Sequence, residues 1–242
     1  MKFKFFLFSA LFLVAFAPQK VEAQTADEII SNYYEVIGGV DAWKNLNSMK
    51  MTGSAENFGM TFPITVYSMR PNLQKVVVDI QGQQFVEAFD GEVAWTINPF
   101  MGGTDPVKKS EEETKEAAKQ VFEDDLINYK EKGHSVSLEG KEEIDGIETF
   151  KLKLTKADGD EIIYFFDTEN FVPVVVRRFI STGELKGKAV DTYLSDYDEV
   201  GGMMIPHSYE QKVDGQTFMK SNFTSIEMNP DISVDEFKFP EK

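Results

Sequence analysis

The stretch AFDGEVAWTINPFMGG, residues 88–103, decides the fold. Apolar and polar residues alternate on both sides of Asp90-Gly91, and Asp-Gly between alternating segments is a strong hairpin signal because both residues tolerate positive φ. Read as a two-residue turn, it predicts that Ala88 faces Val93, Val86 faces Trp95 and Gln84 faces Ile97, all on one side of a sheet. Phe85, Glu87, Glu92 and Thr96 then fall on the other side. Asn98-Pro99 ends the strand, and Phe100 through Gly103 lead away from it. The side carrying Trp95 is the greasier one, so the sheet has an apolar face that something must cover.

The same punctuation continues along the chain, with Asp-Gly pairs at Asp145, Asp158 and Asp214. Alternating runs predict strands at 49–57, 60–69, 73–80, 84–89, 92–97, 134–142, 147–155, 161–167, 173–181, 188–197, 204–213 and 217–227. Met60, Phe62, Ile64 and Val66 alternate with Thr61 and Thr65, and Phe150, Leu152 and Leu154 with Lys151 and Lys153, so the one-sided grease recurs. The expected class is mainly β (α+β), a large curved antiparallel sheet with helices on its apolar face. Such a face suits a packed core or a core with room left inside, and the pattern alone does not separate the two.

Two helical segments interrupt the strands. In TADEIISNYYEVIGG, Thr25 and Glu28 have capping-box spacing, Ile29, Ile30, Tyr33, Tyr34 and Ile37 form an apolar stripe, and Gly38 is a stop signal. A shorter helix from Asp41 to Leu46 carries Trp43. Further on, residues 110–133 open with Ser110 and Glu113 at the same spacing and place Ala118, Val121, Phe122, Leu126 and Tyr129 on one helical stripe. A helix inserted there is expected to lie across the sheet as a lid.

The first residues, MKFKFFLFSALFLVAFA, have Lys2 and Lys4 ahead of an apolar run, with Val21-Glu22-Ala23 as a cleavage site. This reads as a secretory signal peptide over 1–23, and the run falls short of the roughly 20 residues that cross a bilayer. Residues 24–242 are expected to form a single domain. Cysteine is absent, so neither a disulfide nor a lipid-bearing cysteine is available. A formal net charge of −16 opposes binding to nucleic acid and to anionic lipid surfaces.

Motifs of catalysis are missing. His134 and His207 stand apart in separate strands, without a ligand spacing for metal. GELKGK at 183–188 is short of a phosphate loop, and Asp158-Gly159-Asp160 lacks the run of ligands of a calcium loop. No cofactor is expected.

SMRPNL at 68–73, Asp90-Gly91, the W-x-x-NPF run from Trp95 to Phe100, and DEFKFP at 235–240 resemble, in order and spacing, the LolA-type periplasmic lipoprotein carriers. The resemblance implies a half-barrel of antiparallel strands closed by helices, whose cavity receives acyl chains. The implied partners are acylated lipoproteins, an inner-membrane ABC transporter that releases them and an outer-membrane acceptor; the implied state is a periplasmic monomer. Arg70 corresponds to the arginine that latches the helical lid over the empty cavity. Phe62, Val86, Val93, Trp95, Ile97, Phe100, Val121, Phe122 and Leu126 are the expected acyl-chain lining. Two other readings stay open: a regulatory module that recognises lipid or lipoprotein, and an enzyme acting on a small hydrophobic substrate.

Overall fold

The computed structural model describes residues 24–57, 59–101, 103–183 and 185–241. The signal peptide expected at 1–23 lies outside the described residues. Among these, thirteen strands form one antiparallel sheet. In chain order they are β1 (Ser48–Asn57), β2 (Met60–Met69), β3 (Leu73–Ile80), β4 (Gln83–Phe89), β5 (Ala94–Ile97), β6 (Val107–Lys108), β7 (Ser135–Ile144), β8 (Ile147–Thr155), β9 (Glu161–Asp167), β10 (Pro173–Phe179), β11 (Ala189–Val200), β12 (Met203–Val213) and β13 (Gln216–Met228). Two meanders, β1 to β6 and β7 to β13, are joined where β13 returns beside β1, from Met49 opposite Met228 to Glu56 opposite Lys220. Register slips at Thr52/Gly53 in that seam. A Cβ on Gly53 would stand 1.9 Å from the carbonyl oxygen of Asn222, so only glycine fits there.

Helices α1 (Ala26–Val36), α2 (Val40–Asn45) and α3 (Glu111–Ala118) cover the concave face. The capping box of Thr25 and Glu28 forms as the spacing requires, and Gly38 follows α1 at φ 97°. Ile29, Ile30, Tyr33 and Ile37 pack on Phe150, Leu152, Leu154, Ile162, Tyr164 and Phe166, the apolar stripe of β8 and β9. Beyond α2, Leu46 seats against Met203 and Ile205 of β12.

The opening hairpin turns more widely than a two-residue turn. Asp90 Oδ1 accepts from the N–H groups of Glu92 and Val93, so Ala88 pairs with Trp95 and Val86 with Ile97. The slip is two residues, which leaves the shared face intact. That face, however, is the convex one. β3 and β4 place Gln74, Val76, Val78, Phe85, Glu87 and Phe89 on the side of α3, and Lys75, Val77, Val86, Ala88, Trp95 and Ile97 on the other.

A C-terminal strap covers this convex stripe. Phe237 is fully buried, the Trp95 indole Nε1–H donates to its carbonyl at 2.8 Å, and Phe239 meets the Trp95 ring edge-on at 6.2 Å. Lys75 adds contacts to the backbone and carboxylate of Glu236. The tryptophan strand and the closing DEFKFP segment therefore form one small core.

The helix expected over 110–133 stops at Ala118. Past that point the polar groups find partners off the helix axis: Phe122 N–H donates to Pro71 O at 3.1 Å and Leu126 N–H to Asp124 Oδ1 at 2.9 Å, while Asn128 turns the chain at φ 51°. Side-chain acceptors of this kind compete with the helical ladder. Residues 119–133 are therefore a chain of turns, in which Leu126 and Ile127 are fully buried and Val121 is exposed.

Trp95→Phe leaves a smaller ring in the buried site and a buried carbonyl without its donor, the latter alone costing roughly 1–3 kcal/mol. Urea denaturation is expected to show that loss, and wild-type stability in the variant would contradict the strap's role.

Candidate functional site

The concave face is covered unevenly. At one end α1 is locked down by buried apolar side chains and by Tyr33, whose hydroxyl donates to Asp124 at 2.6 Å. At the other end α3 buries no residue and is held by polar contacts: Ala94 N–H to Thr114 Oγ1, Asn72 Nδ2 to the Ala118 carbonyl, Ser181 to Glu116, and Lys119 to Asp160. Between them runs a strip in which Met51, Ala55, Ile64 and Phe223 are buried and Met49, Val66, Val76, Val78, Tyr209 and Ile226 half-buried; its cluster contains no helix residue, and only Ile226 also joins the cluster under α2.

Arg70, at the end of β2, ties these parts together. Its Nε donates to Leu46 O at 2.7 Å, Nη2 to Trp43 O at 2.7 Å and Nη1 to Glu123 Oε1 at 3.1 Å. One guanidinium thus holds the end of α2 and the turn segment to the sheet, and Phe122 lies under it at 5.5 Å. Its motif neighbours act on the same layer, through Pro71 O to Phe122 and Asn72 to Ala118. Burial pushes the Glu123 carboxyl up, but Lys132 at 2.8 Å and then Arg70 outweigh it and hold the group below the usual glutamate range. Next to it Asp124 goes the other way, raised by burial against the pull of Tyr33 and the Leu126 N–H.

A chamber of about 660 Å³ opens beneath the end of α3, between Gln120 and the ends of β10 to β12. A neighbouring space of about 310 Å³ shares Gln120, Arg178, Thr192 and Gln211 with it and reaches Gln74 and Phe122. The walls are mixed rather than wholly apolar. Arg178 and Lys156 both contact Asp125, at 3.1 and 3.2 Å, and Ile162, Phe179 and Val190 stand beside them. His134 Nδ1 accepts from Ala157 N–H, and His207 Nδ1 lies 2.8 Å from Phe223 O. Among the described residues, no cluster of His, Asp and Glu is placed to hold a metal.

The expected lining residues separate accordingly. Phe62 lies half-buried on the concave face opposite Ala55. Phe122 packs with Leu46 and Trp43, and Leu126 belongs to the α1 core. Val86, Trp95 and Ile97 are on the convex face beneath the strap, Val93 is in the hairpin turn, and Phe100 (64% exposed) and Val121 (46% exposed) face solvent. Alternation reveals which residues share a face and says nothing of which face receives the helices. Arg178, Asp125, Lys156, Gln74 and Gln211 were not expected at the site. The signal for Arg178 lies in PVVVRRF, where alternation puts it on the face of Val176, and the two pair with Ile162 and Tyr164 of the apolar stripe.

An open antiparallel half-barrel whose concave face is roofed by helices defines a recognisable class of fold. No protein-family profile matches the chain, and no curated protein matches it in sequence. Solved structures do. A DUF1329 family protein from Desulfovibrio piger superposes with a TM-score of 0.55 at 12% identity, over 87% of this chain and 97% of that one. A LolA superfamily protein from Nitrosomonas europaea gives 0.54 at 15% identity over 89% and 98%, and a putative outer membrane lipoprotein-sorting protein domain from Vibrio parahaemolyticus gives 0.54 at 14% over 87% and 94%. The fold is LolA-like.

Two outcomes follow from the Arg70 tie. Arg70→Leu removes three hydrogen bonds and leaves Glu123 with one cation, a loss of roughly 1–3 kcal/mol, and amide exchange at 119–133 should accelerate while β8 and β9 keep their protection. Because the folded Glu123 is depressed, its stabilisation is complete above the ordinary glutamate pKa and is lost as pH falls through the folded value. Acid titration of Trp43 emission should show that step in the wild type and lack it in Glu123→Gln; an identical step in both would assign it elsewhere.

Proposed function

We propose that this protein is a periplasmic carrier that shelters the acyl chains of lipoproteins on its concave face and delivers them toward the outer membrane. The observation that carries this reading is the apolar strip of β1 to β3, β12 and β13, buried at Ile64 and Phe223 and half-buried along Val66, Val76 and Tyr209, next to a helix that buries no residue of its own. Each buried methylene gains roughly 0.8 kcal/mol, so an acyl chain of about 16 carbons needs enclosure that a surface patch does not give. A carrier must also release its cargo, which requires an empty closed state that competes with the loaded one. Three hydrogen bonds from Arg70 supply a closed state of that kind.

The leader-like segment at 1–23 and the absence of cysteine support an exported chain without a lipid anchor. The partners that fit are acylated lipoproteins, an inner-membrane ABC transporter as donor and an outer-membrane acceptor. The acidic charge disfavours nucleic acid, and the protein is read as a monomer without cofactor. The LolA-like fold and the lipoprotein-sorting name of one neighbour support the reading.

Displacement of a hydrophobic dye tests it. An acylated lipopeptide is expected to compete and its deacylated form not to; equal behaviour of the two would remove acyl chains as cargo. On loading, the emission of Trp43, which lies in the roof, should shift, whereas that of Trp95 beneath the convex strap should stay constant in the Trp43→Phe variant. A shift reported by Trp95 alone would place the cargo on the wrong face.

A further inference from the structure

An acyl chain needs no arginine, yet one stands in the chamber. Arg178 lines both the chamber and the neighbouring space, and 55% of its side chain is accessible there. Among the described residues its one hydrogen bond is from Nη2 to Asp125, so most of its five N–H donors face open space. Asp125 is shared with Lys156, so two cations meet one carboxylate, while the other carboxylates of the walls are engaged elsewhere, Asp160 and Glu116 by Lys119 and Glu161 by Lys153. Gln120, Thr192 and Gln211 add neutral hydrogen-bonding groups on the same walls.

Polar and apolar surfaces meet here in an ordered way. Two residues along β12 from Gln211, on the same face, Tyr209 joins the Ile64 and Phe223 strip, and two residues along β3 from Gln74 comes Val76 of that strip. We infer that this chamber binds the anionic head of an amphiphile, a carboxylate or a phosphate, on Arg178 while its tail lies along the concave strip. The overall negative charge works against an anion at long range, but beyond about 8 Å it is screened at physiological ionic strength. At contact range the guanidinium decides, since hydrogen bonds to charged groups are worth about twice neutral ones.

The inference shares the concave face with the carrier reading and extends the ligand class. Dye displacement by dodecanoate, dodecyl phosphate and dodecanol, which differ only in the head, tests it, with inorganic phosphate as a tail-free probe. Wild type is expected to favour at least one anionic head over the alcohol by about tenfold or more, and the stronger arm identifies carboxylate or phosphate. In Arg178→Gln the ratio should fall toward one, and Arg178→Lys should keep part of it. Equal affinity for all three heads, a ratio untouched by Arg178→Gln, or displacement by inorganic phosphate as strong as by dodecyl phosphate would overturn the inference. Binding of dodecanoate without any binding of acylated lipopeptide would overturn the carrier reading and leave this one standing.

Discussion

One guanidinium joins the sheet to the layer that covers it. Arg70 reaches from the end of β2 to two carbonyls at the end of α2 and to a carboxylate in the segment that follows α3. Hydrogen bonds to a charged donor are individually strong but discrete, and each has a water-bonded alternative. The part that can move without exposing a packed core is α3, which buries no residue, whereas Leu46, Leu126 and Ile127 anchor the neighbouring segments. The contrast lies within the same molecule, where α1 is fixed by fully buried isoleucines on β8 and β9 and could leave only at the cost of that burial.

Stability is supplied away from the site. The convex side is sealed by Trp95, Phe237 and Phe239, and the far end of the concave side by the α1 core, so neither depends on α3 being in place. Without cysteine, these two apolar clusters and the long seam of β1 with β13 hold the chain noncovalently. The strip between them can then remain partly uncovered. A sheet with its own anchorage on both faces can host a movable roof, whereas a sheet that relied on the roof for its core could not.

Much of this architecture was legible in the sequence. Strand positions follow from period-two alternation and Asp-Gly turns, and the capping boxes of Thr25 and Ser110 mark the helix starts where they occur. Helix length at 110–133 was not legible, because Glu123, Asp124 and Phe122 are taken by Arg70, Leu126 and Pro71, partners distant in sequence or off the helix axis. The side of Trp95 was illegible for a different reason. Both faces of β4 are apolar, through Val86 and Ala88 on one and Phe85 and Phe89 on the other, and only the C-terminal strap settles which one is buried by what. Arg70 is marked by its motif, whereas Arg178 carries no such mark, because an arginine in a strand usually belongs to a solvated face.

The claim on which the account rests is that acyl chains lie against the concave strip beneath the roof. A lipopeptide with a photoreactive group in its acyl chain, cross-linked and mapped by mass spectrometry, reads this out directly. The account predicts adducts on residues of the strip such as Val66, Val76 and Tyr209. Adducts concentrated on the convex residues around Ile97 and Phe239, or none above the level of a deacylated control, would contradict it.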